Sequence, residues 1–206
     1  ALALERAKAK QKDGLFGSEI SGVLAPEVVF CDSLWVGRFE VTRAQYAAFD
    51  PEYQFQAGTG NYPASGISYE KAKAYCRWLS EKTGQTYRLP TEKELKKLLA
   101  RAKGNADHEN NLDYWAGYDV NPDDARMLAP KIHELEQKGS LLWPVGSFRP
   151  VGKNRVYDLG GNVAEWCTAG DSGKVLGGSA VTPKDPAAKY QAPPLRYVGF
   201  RVILEK

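Results

Sequence analysis

Val156-Tyr-Asp-Leu-Gly-Gly-Asn-Val-Ala-Glu-Trp166 places strand-forming residues, a tight turn and two carboxylates within eleven positions. Gly160, Gly161 and Asn162 tolerate positive φ angles, so the backbone is expected to turn sharply there. Two carboxylates beside a turn that exposes backbone carbonyls suit a hard cation such as Ca²⁺. These residues taken alone favour a simple hairpin turn with solvated acids over an ion site.

The composition narrows the class of protein. The chain has 206 residues, with 28 Lys and Arg against 25 Asp and Glu, and a formal net charge of +3. This balance, without a basic face, argues against nucleic-acid binding. No apolar run approaches the roughly 20 residues that span a bilayer, so we expect no membrane insertion. Because the chain begins at Ala1 rather than Met, we expect it to be part of a larger chain or complex.

The cysteines and histidines are too few and too scattered for a zinc site. Cys31, Cys76 and Cys167 have no CxxC spacing, and His108 and His133 are the only histidines. Cys76 falls on the apolar stripe of a predicted helix and is interpreted as a small buried hydrophobe.

Local signals divide the chain into short strands and separate helices. Thr42 with Gln45 and Thr91 with Glu94 form capping boxes, which mark helix starts. Residues 1–24 are interpreted as an N-terminal extension or linker helix and residues 25–206 as one domain. Without a βαβ alternation, the order of elements predicts an α+β fold. Helices are predicted over residues 43–49, 69–82, 92–103 and 121–138, and strands over 28–31, 34–41, 86–90, 142–148 and 198–204.

Several longer motifs occur in a fixed order between residues 35 and 206. They include Phe39-Glu-Val-Thr-Arg-Ala-Gln-Tyr46, Tyr87-Arg-Leu-Pro-Thr-Glu-Lys-Glu94, the stretch quoted first, Val175-Leu-Gly-Gly-Ser179 and Gly199-Phe-Arg-Val202. In this order they resemble the formylglycine-generating enzyme (sulfatase-modifying factor) family. The resemblance implies the C-type-lectin-like fold of that family, in which the first and last strands pair.

The resemblance also implies an ion site in the turn. In the family's enzymes the matching segment binds a structural Ca²⁺ through side-chain and main-chain oxygens. Carried over to this chain, the ligands are the carboxylates of Asp158 and Glu165 and the carbonyls of Gly161 and Val163. We therefore expect a structural calcium ion here.

The departures from the family concern its chemistry. The resemblance implies that the oxidising members bind copper(I) with two cysteines, four residues apart, between the Gly-Gly-Ser and Gly-Phe-Arg motifs. Residues 180–198 of this chain contain no cysteine. We therefore expect no copper, no catalytic residue and no family oxidase reaction.

A preserved framework without the cysteine pair predicts a non-catalytic module that binds a protein, peptide or glycan through surface loops. Aromatic and Arg side chains dominate binding energies, so the candidate surface residues are Tyr62, Tyr114, Trp115, Tyr190 and Arg196. Packing within a loop-rich core explains each of them equally well. Two alternatives stay open, namely an oxidoreductase of altered mechanism and a variable-loop receptor domain of a larger protein.

Overall fold

The computed structural model describes residues 14–103, 111–118, 120–138, 141–182 and 189–206 of the chain. Its strands are β1 (Ser18–Ile20), β2 (Val23–Ala25), β3 (Val28–Cys31), β4 (Leu34–Gly37), β5 (Thr86–Arg88), β6 (Ala164–Ala169), β7 (Ser172–Leu176), β8 (Val198–Gly199) and β9 (Ile203–Glu205). Its helices are α1 (Arg43–Ala47), α2 (Tyr69–Thr83), α3 (Glu92–Lys103), α4 (Asn111–Ala116) and α5 (Pro122–Lys138). Short strands, separate helices and long connections confirm the predicted α+β class.

One sheet joins elements from both ends of the chain. Its strand order is β3-β4-β9-β5, and every neighbouring pair is antiparallel. Val36 of β4 lies opposite Ile203 of β9, and both side chains are buried. The resemblance implied that the first and last strands pair, whereas the terminal strand β9 pairs with β4 and β5, and the first strand β1 pairs with β2.

A second sheet contains the residues that follow the glycine turn. β6 pairs antiparallel with β7 and parallel with β8, which gives the order β7-β6-β8. Glu165 of β6 lies opposite Gly199 of β8. This register brings the end of the quoted stretch beside the Gly-Phe-Arg motif.

The long helix α2 follows its sequence signals closely. The Ser68 hydroxyl accepts a hydrogen bond from the Lys71 amide, and Gly84 ends the helix at φ 69°. Cys76, on its buried stripe, packs with Phe200 and the other residues of the largest apolar cluster, as predicted. Both capping boxes are also formed, at the starts of α1 and α3.

The β1–β2 hairpin packs on the body of the domain. The Phe16 and Phe39 ring centroids are 5.1 Å apart, and Asn61 binds both the Phe16 amide and the Gly14 carbonyl. The boundary predicted between residues 24 and 25 therefore runs through a packed hairpin. Residues 1–13 of the predicted N-terminal extension or linker helix lie outside the described residues.

Two local predictions were wrong, each because long-range contacts decide the backbone. Residues 142–148 form no strand, since the Gly146 and Phe148 amides donate to Asp158 rather than to a neighbouring strand. The strand predicted over residues 198–204 is divided between β8 and β9, which belong to different sheets. The short helix α4 was not predicted. Among the described residues, no helix is long and apolar enough to cross a membrane.

Candidate functional site

The stretch 156–166 turns sharply, as predicted. Asp158 and Asn162 have φ angles of 63° and 65°, and the Gly161 amide donates to the Asp158 carbonyl at 3.2 Å. Gly178 packs so closely against this turn that a Cβ atom there would lie 2.5 Å from the Gly160 carbonyl oxygen. The turn is therefore held from outside by the Gly-Gly-Ser motif, and the simple solvated hairpin is excluded.

A buried arginine occupies the centre of the surrounding structure. Arg201 is 0% exposed, and its guanidinium donates to both carboxylate oxygens of Glu165, at 2.7 Å from Nε and 2.5 Å from Nη2. It also donates to the carbonyls of Gly37 and Tyr157, each at 3.0 Å. One side chain thus ties β4, the turn and β6 together.

Asp158, the other predicted acid, is buried in the same place. Its carboxylate accepts from the Gly146 amide at 2.5 Å and from the Phe148 amide at 3.0 Å. Burial raises the pKa of Asp158, while these two amides oppose the rise. The carboxylate therefore shapes the loop before the turn.

Glu40 adds a third buried carboxyl group. It is 1% exposed, and within the described part of the chain neither of its carboxylate oxygens meets a hydrogen-bond donor. Burial and the neighbouring charge of Asp158 raise its pKa well above the ordinary value. A hydrogen bond between the carboxyl groups of Glu40 and Asp158 requires a proton on one of them, and burial raises the pKa of both. We call Glu40, Asp158, Glu165 and Arg201 the buried charge cluster.

The buried charge cluster bears directly on the predicted calcium site. Three carboxyl groups face one guanidinium, so full ionisation leaves an excess of negative charge that a cation would offset. In the described ranges, no three His, Cys, Asp or Glu side chains are placed to hold one metal ion. The predicted ligand set uses only two acids, Asp158 and Glu165, with the carbonyls of Gly161 and Val163. All donors in this set are oxygen atoms, the type that Ca²⁺ binds. The calcium site stays a prediction.

Sequence reasoning missed Glu40 and Arg201. A usable signal existed in both cases, because each charged residue stands within an apolar run of strand-forming residues. A charge in such a run is rarely buried without a partner. The partner could not be read from the sequence, since Arg201 and Glu165 are 36 residues apart.

Two of the predicted surface residues come together around a third aromatic ring. The Trp143 ring centroid lies 4.7 Å from that of Tyr114 and 6.4 Å from that of Trp115, at interplanar angles of 60° and 69°. Tyr114 and Trp115 are 55% and 49% exposed. We call these three residues the aromatic platform. Trp143 was not among the predicted surface residues.

The turn itself holds the aromatic platform in position. The Asn162 side chain donates to the Trp143 carbonyl and accepts from the Trp143 amide, both at 3.0 Å. The Asn162 amide donates to the side chain of Asn111, the first residue of α4, at 2.7 Å. Both asparagines are 0% exposed. The glycine turn therefore fixes both segments that carry the rings.

The remaining surface candidates have partners or stand apart. Arg43 lies over the Tyr62 ring at 5.2 Å. Arg196 forms a 2.9 Å ion pair with Glu136. Tyr190 is 47% exposed. Tyr62 and Arg196 are thus engaged by the chain itself, whereas the platform rings and Tyr190 present open surface.

The three cysteines are buried and unpaired. Burial raises the pKa of Cys76 to about 12 and that of Cys167 to about 11. Burial and the neighbouring Asp32 raise the pKa of Cys31. A thiolate is the reactive form and the metal ligand, so these environments disfavour redox or copper chemistry at all three.

Comparisons with known proteins agree with the motifs. Residues 7–205 match the model of the sulfatase-modifying factor enzyme 1-like domain. The chain is 31% identical over 144 residues to mouse "Inactive C-alpha-formylglycine-generating enzyme 2" and 30% identical over 145 residues to the protein of the same name from Bos taurus. These matches cover 63% and 64% of this chain but 41% and 42% of the relatives, so the chain spans less than half of their length.

Among solved structures, PvdO from Pseudomonas aeruginosa is similar in fold. The TM-score is 0.54 at 21% identity, and the match covers 96% of this chain and 90% of that one. At this level of identity the likeness concerns the fold alone.

Proposed function

Because this chain belongs to the sulfatase-modifying factor enzyme 1-like domain family, we propose that it is a non-catalytic member that uses the scaffold to bind a partner. The curated relatives carry the word "inactive" in their names, which supports this proposal. The match covers less than half of the length of those relatives. The absence of catalytic activity in the whole protein is therefore proposed as well.

The observation that carries the proposal is the state of the cysteines. Residues 180–198, where the resemblance places a copper-binding pair, contain no cysteine. Cys31, Cys76 and Cys167 are buried at separate places in the fold, and burial raises the pKa of each thiol. Copper(I) requires soft thiolate ligands close together, and these three thiols do not supply them.

Copper(I) titration against a competing chelator tests the loss of chemistry. We expect no tight copper binding, and no conversion of a cysteine-containing substrate peptide to formylglycine in the presence of copper and oxygen. The matched control is the triple variant C31S/C76A/C167A, which should give the same titration as the wild type. Tight binding that the triple variant abolishes would overturn the proposal.

The proposed binding role is supported by the aromatic platform. Two rings are about half exposed on a surface whose backbone is fixed by buried hydrogen bonds. Aromatic side chains supply large contact areas with few rotatable bonds. A protein, peptide or glycan partner would contact these rings.

The calcium ion remains part of the proposed function as a structural component. Its support is the burial of Asp158 and Glu165 beside a single guanidinium, that of Arg201, which leaves one more carboxylate than positive charges. Asp158 and Glu165 would supply side-chain oxygens, and Gly161 and Val163 main-chain oxygens. An ion at this turn would stabilise the same backbone that positions the aromatic platform.

A further inference from the structure

The helix α5 lies on the surface of the domain. Every side chain of Pro122–Lys138 that the structure describes is partly or fully exposed. In the N-terminal half, Met127 is 83% exposed, and the side chains of Asp123 and Arg126 are 80% and 79% exposed. These side chains of the N-terminal half therefore bury little surface against the body of the domain.

The C-terminal half of α5 contacts the body through one face. Ile132 and Leu135 pack against a cluster of buried apolar side chains. We call this cluster the helix floor, and its members are Leu141, Leu142, Val163, Ala180 and Tyr197. Oε1 of Glu136 accepts a hydrogen bond from the Tyr197 hydroxyl at 2.7 Å and one from Nη2 of Arg196 at 2.9 Å. Because residues at i, i+3 and i+4 share one side of a helix, Ile132, Leu135 and Glu136 form a single contact strip.

The sequence of α5 makes the helix depend on this contact strip. Pro130 lies inside the helix and has no amide to donate to the carbonyl of Arg126, four residues earlier. Most of the stability of a helix in a protein comes from the packing of one face rather than from its own propensity. The apolar side chains of that face, Ile132 and Leu135, are only half-buried. We therefore expect α5 to leave the floor at a lower free energy than the domain needs to unfold.

The contact strip shows which chemistry the helix floor accepts. Proteins that bind a helix of a partner place its apolar side chains, three or four residues apart, on an apolar surface. The floor does the same with Ile132 and Leu135 of its own chain. Arg196 and the Tyr197 hydroxyl add a cation and a donor beside the floor, and both bind the acid that directly follows Leu135. The floor therefore matches two apolar residues at i and i+3 and an acid at i+4.

We propose that α5 is an autoinhibitory lid on a surface that binds an amphipathic helix of a partner protein with this same pattern. This assignment rests on the proposed binding role and adds a second contact surface and its regulation. A ligand tethered in the same chain competes at an effective concentration on the order of millimolar. The docked lid thus lowers the apparent affinity for the partner in proportion to the fraction of molecules in which the floor is covered. Tyr62 and Arg196, two of the predicted surface residues, lie at the edge of the floor and are within reach of such a partner.

The first measurement compares the wild type with the variant I132A/L135A/E136A, which removes the contact strip. Hydrogen exchange followed by mass spectrometry should show the amides of Pro122–Lys138 exchanging about tenfold faster or more in the variant. The amides of Tyr69–Thr83 in α2 should keep their rates, which also shows that the variant folds. K131A is the matched control, because Lys131 forms its 2.9 Å ion pair with Glu134 within α5. It should exchange as the wild type does.

The second measurement supplies the lid as a separate molecule. A fluorescent synthetic peptide with the sequence of residues 122–138 is the probe, and fluorescence polarisation reports its binding. The peptide should bind I132A/L135A/E136A about tenfold more tightly or better than the wild type, whose own helix occupies the floor. The same peptide with alanine in place of Ile132, Leu135 and Glu136 should not bind the variant.

The remaining outcomes separate the lid from the proposed function. If α5 exchanges in the variant as slowly as in the wild type, the contact strip does not hold the helix and the lid is wrong. If the peptide fails to bind the variant, or binds the wild type equally well, the assigned partner class is wrong. The aromatic platform is judged separately with a displayed library of short peptides. Peptides that bind the wild type but not Y114A/W115A preserve the proposed binding role, and a library without such peptides removes it.

Discussion

Replacing Arg201 with lysine tests whether the buried charge cluster holds the fold together. The substitution keeps the positive charge but removes the planar fork that binds both oxygens of Glu165. An ammonium group at this position can retain one bond to Glu165 and cannot also reach the carbonyls of Gly37 and Tyr157. At least one charge-assisted bond and one or two bonds to carbonyls are therefore lost.

The magnitude follows from the bonds that are lost. A hydrogen bond to a charged group contributes about 1.5–3 kcal/mol to stability. A bond between a charged donor and a neutral carbonyl lies near the lower end of this range. The expected loss in the free energy of unfolding is about 3–5 kcal/mol, the range observed when a buried ion pair is broken. For a chain of this length that corresponds to a fall in Tm of about 6–20 °C.

Urea unfolding monitored by circular dichroism measures this loss at pH 7. The double variant R201K/E40Q provides a matched comparison, because it removes the carboxyl group that has no hydrogen-bond donor. We expect E40Q to change the stability of the R201K background little, because burial and the charge of Asp158 raise the pKa of Glu40 and already favour its neutral form. A loss below about 0.5 kcal/mol for R201K would show that the four bonds do not hold the fold, and the reasoning would fail.

Three further predictions address the turn, an ion pair and the calcium ion. N162G keeps the positive φ but leaves the amide and carbonyl of the half-buried Trp143 without the Asn162 side chain. We therefore expect about 1–3 kcal/mol of destabilisation in urea and stronger acrylamide quenching of tryptophan fluorescence. The hydrogen bond from Arg88 lowers the pKa of Glu94 from 4.5 to about 2. The stabilisation of the fold by this ion pair is therefore present above pH 4.5 and lost as the pH falls toward 2. E94Q should lower the free energy of unfolding by about 1–2 kcal/mol at pH 7 and by little at pH 2.5. The control E70Q replaces an exposed glutamate and should change the free energy of unfolding by less than about 0.5 kcal/mol at pH 7. If calcium binds, millimolar Ca²⁺ over EGTA should raise the Tm of the wild type but not of D158N; equal melting curves for wild type would refute the site.

Sequence signals close to one another in the chain predicted the local structure well. The Thr42 capping box and the Ser68 cap gave the starts of α1 and α2, and Gly84 gave the end of α2. Those signals work because donor and acceptor are three or four residues apart. The segment 142–148 has the residue types of a strand but lacks its hydrogen bonds, because Asp158 takes the amides of Gly146 and Phe148.

The candidate site could be predicted only in part, for the same reason. The glycine turn identified Asp158 and Glu165 as neighbours of functional interest, and the structure places both in one buried cluster. Their strongest partner, Arg201, comes from a different strand. The platform ring of Trp143 was missed because its position depends on two buried side-chain amides, Asn162 and Asn111. Such hydrogen bonds produce no periodic pattern of residues in the sequence.

β9 lies between β4 and β5, so this sheet can be completed only after β9 has been synthesised. β9 (Ile203–Glu205) leaves the ribosome after every other described strand. Its partner β4 begins at Leu34 and is therefore synthesised long before it. Until then, β4 and β5 lack their shared neighbour and expose backbone groups and apolar surface. Until β9 has been made, nascent chains of this domain therefore keep strand edges without their partner, which is a feature that promotes aggregation.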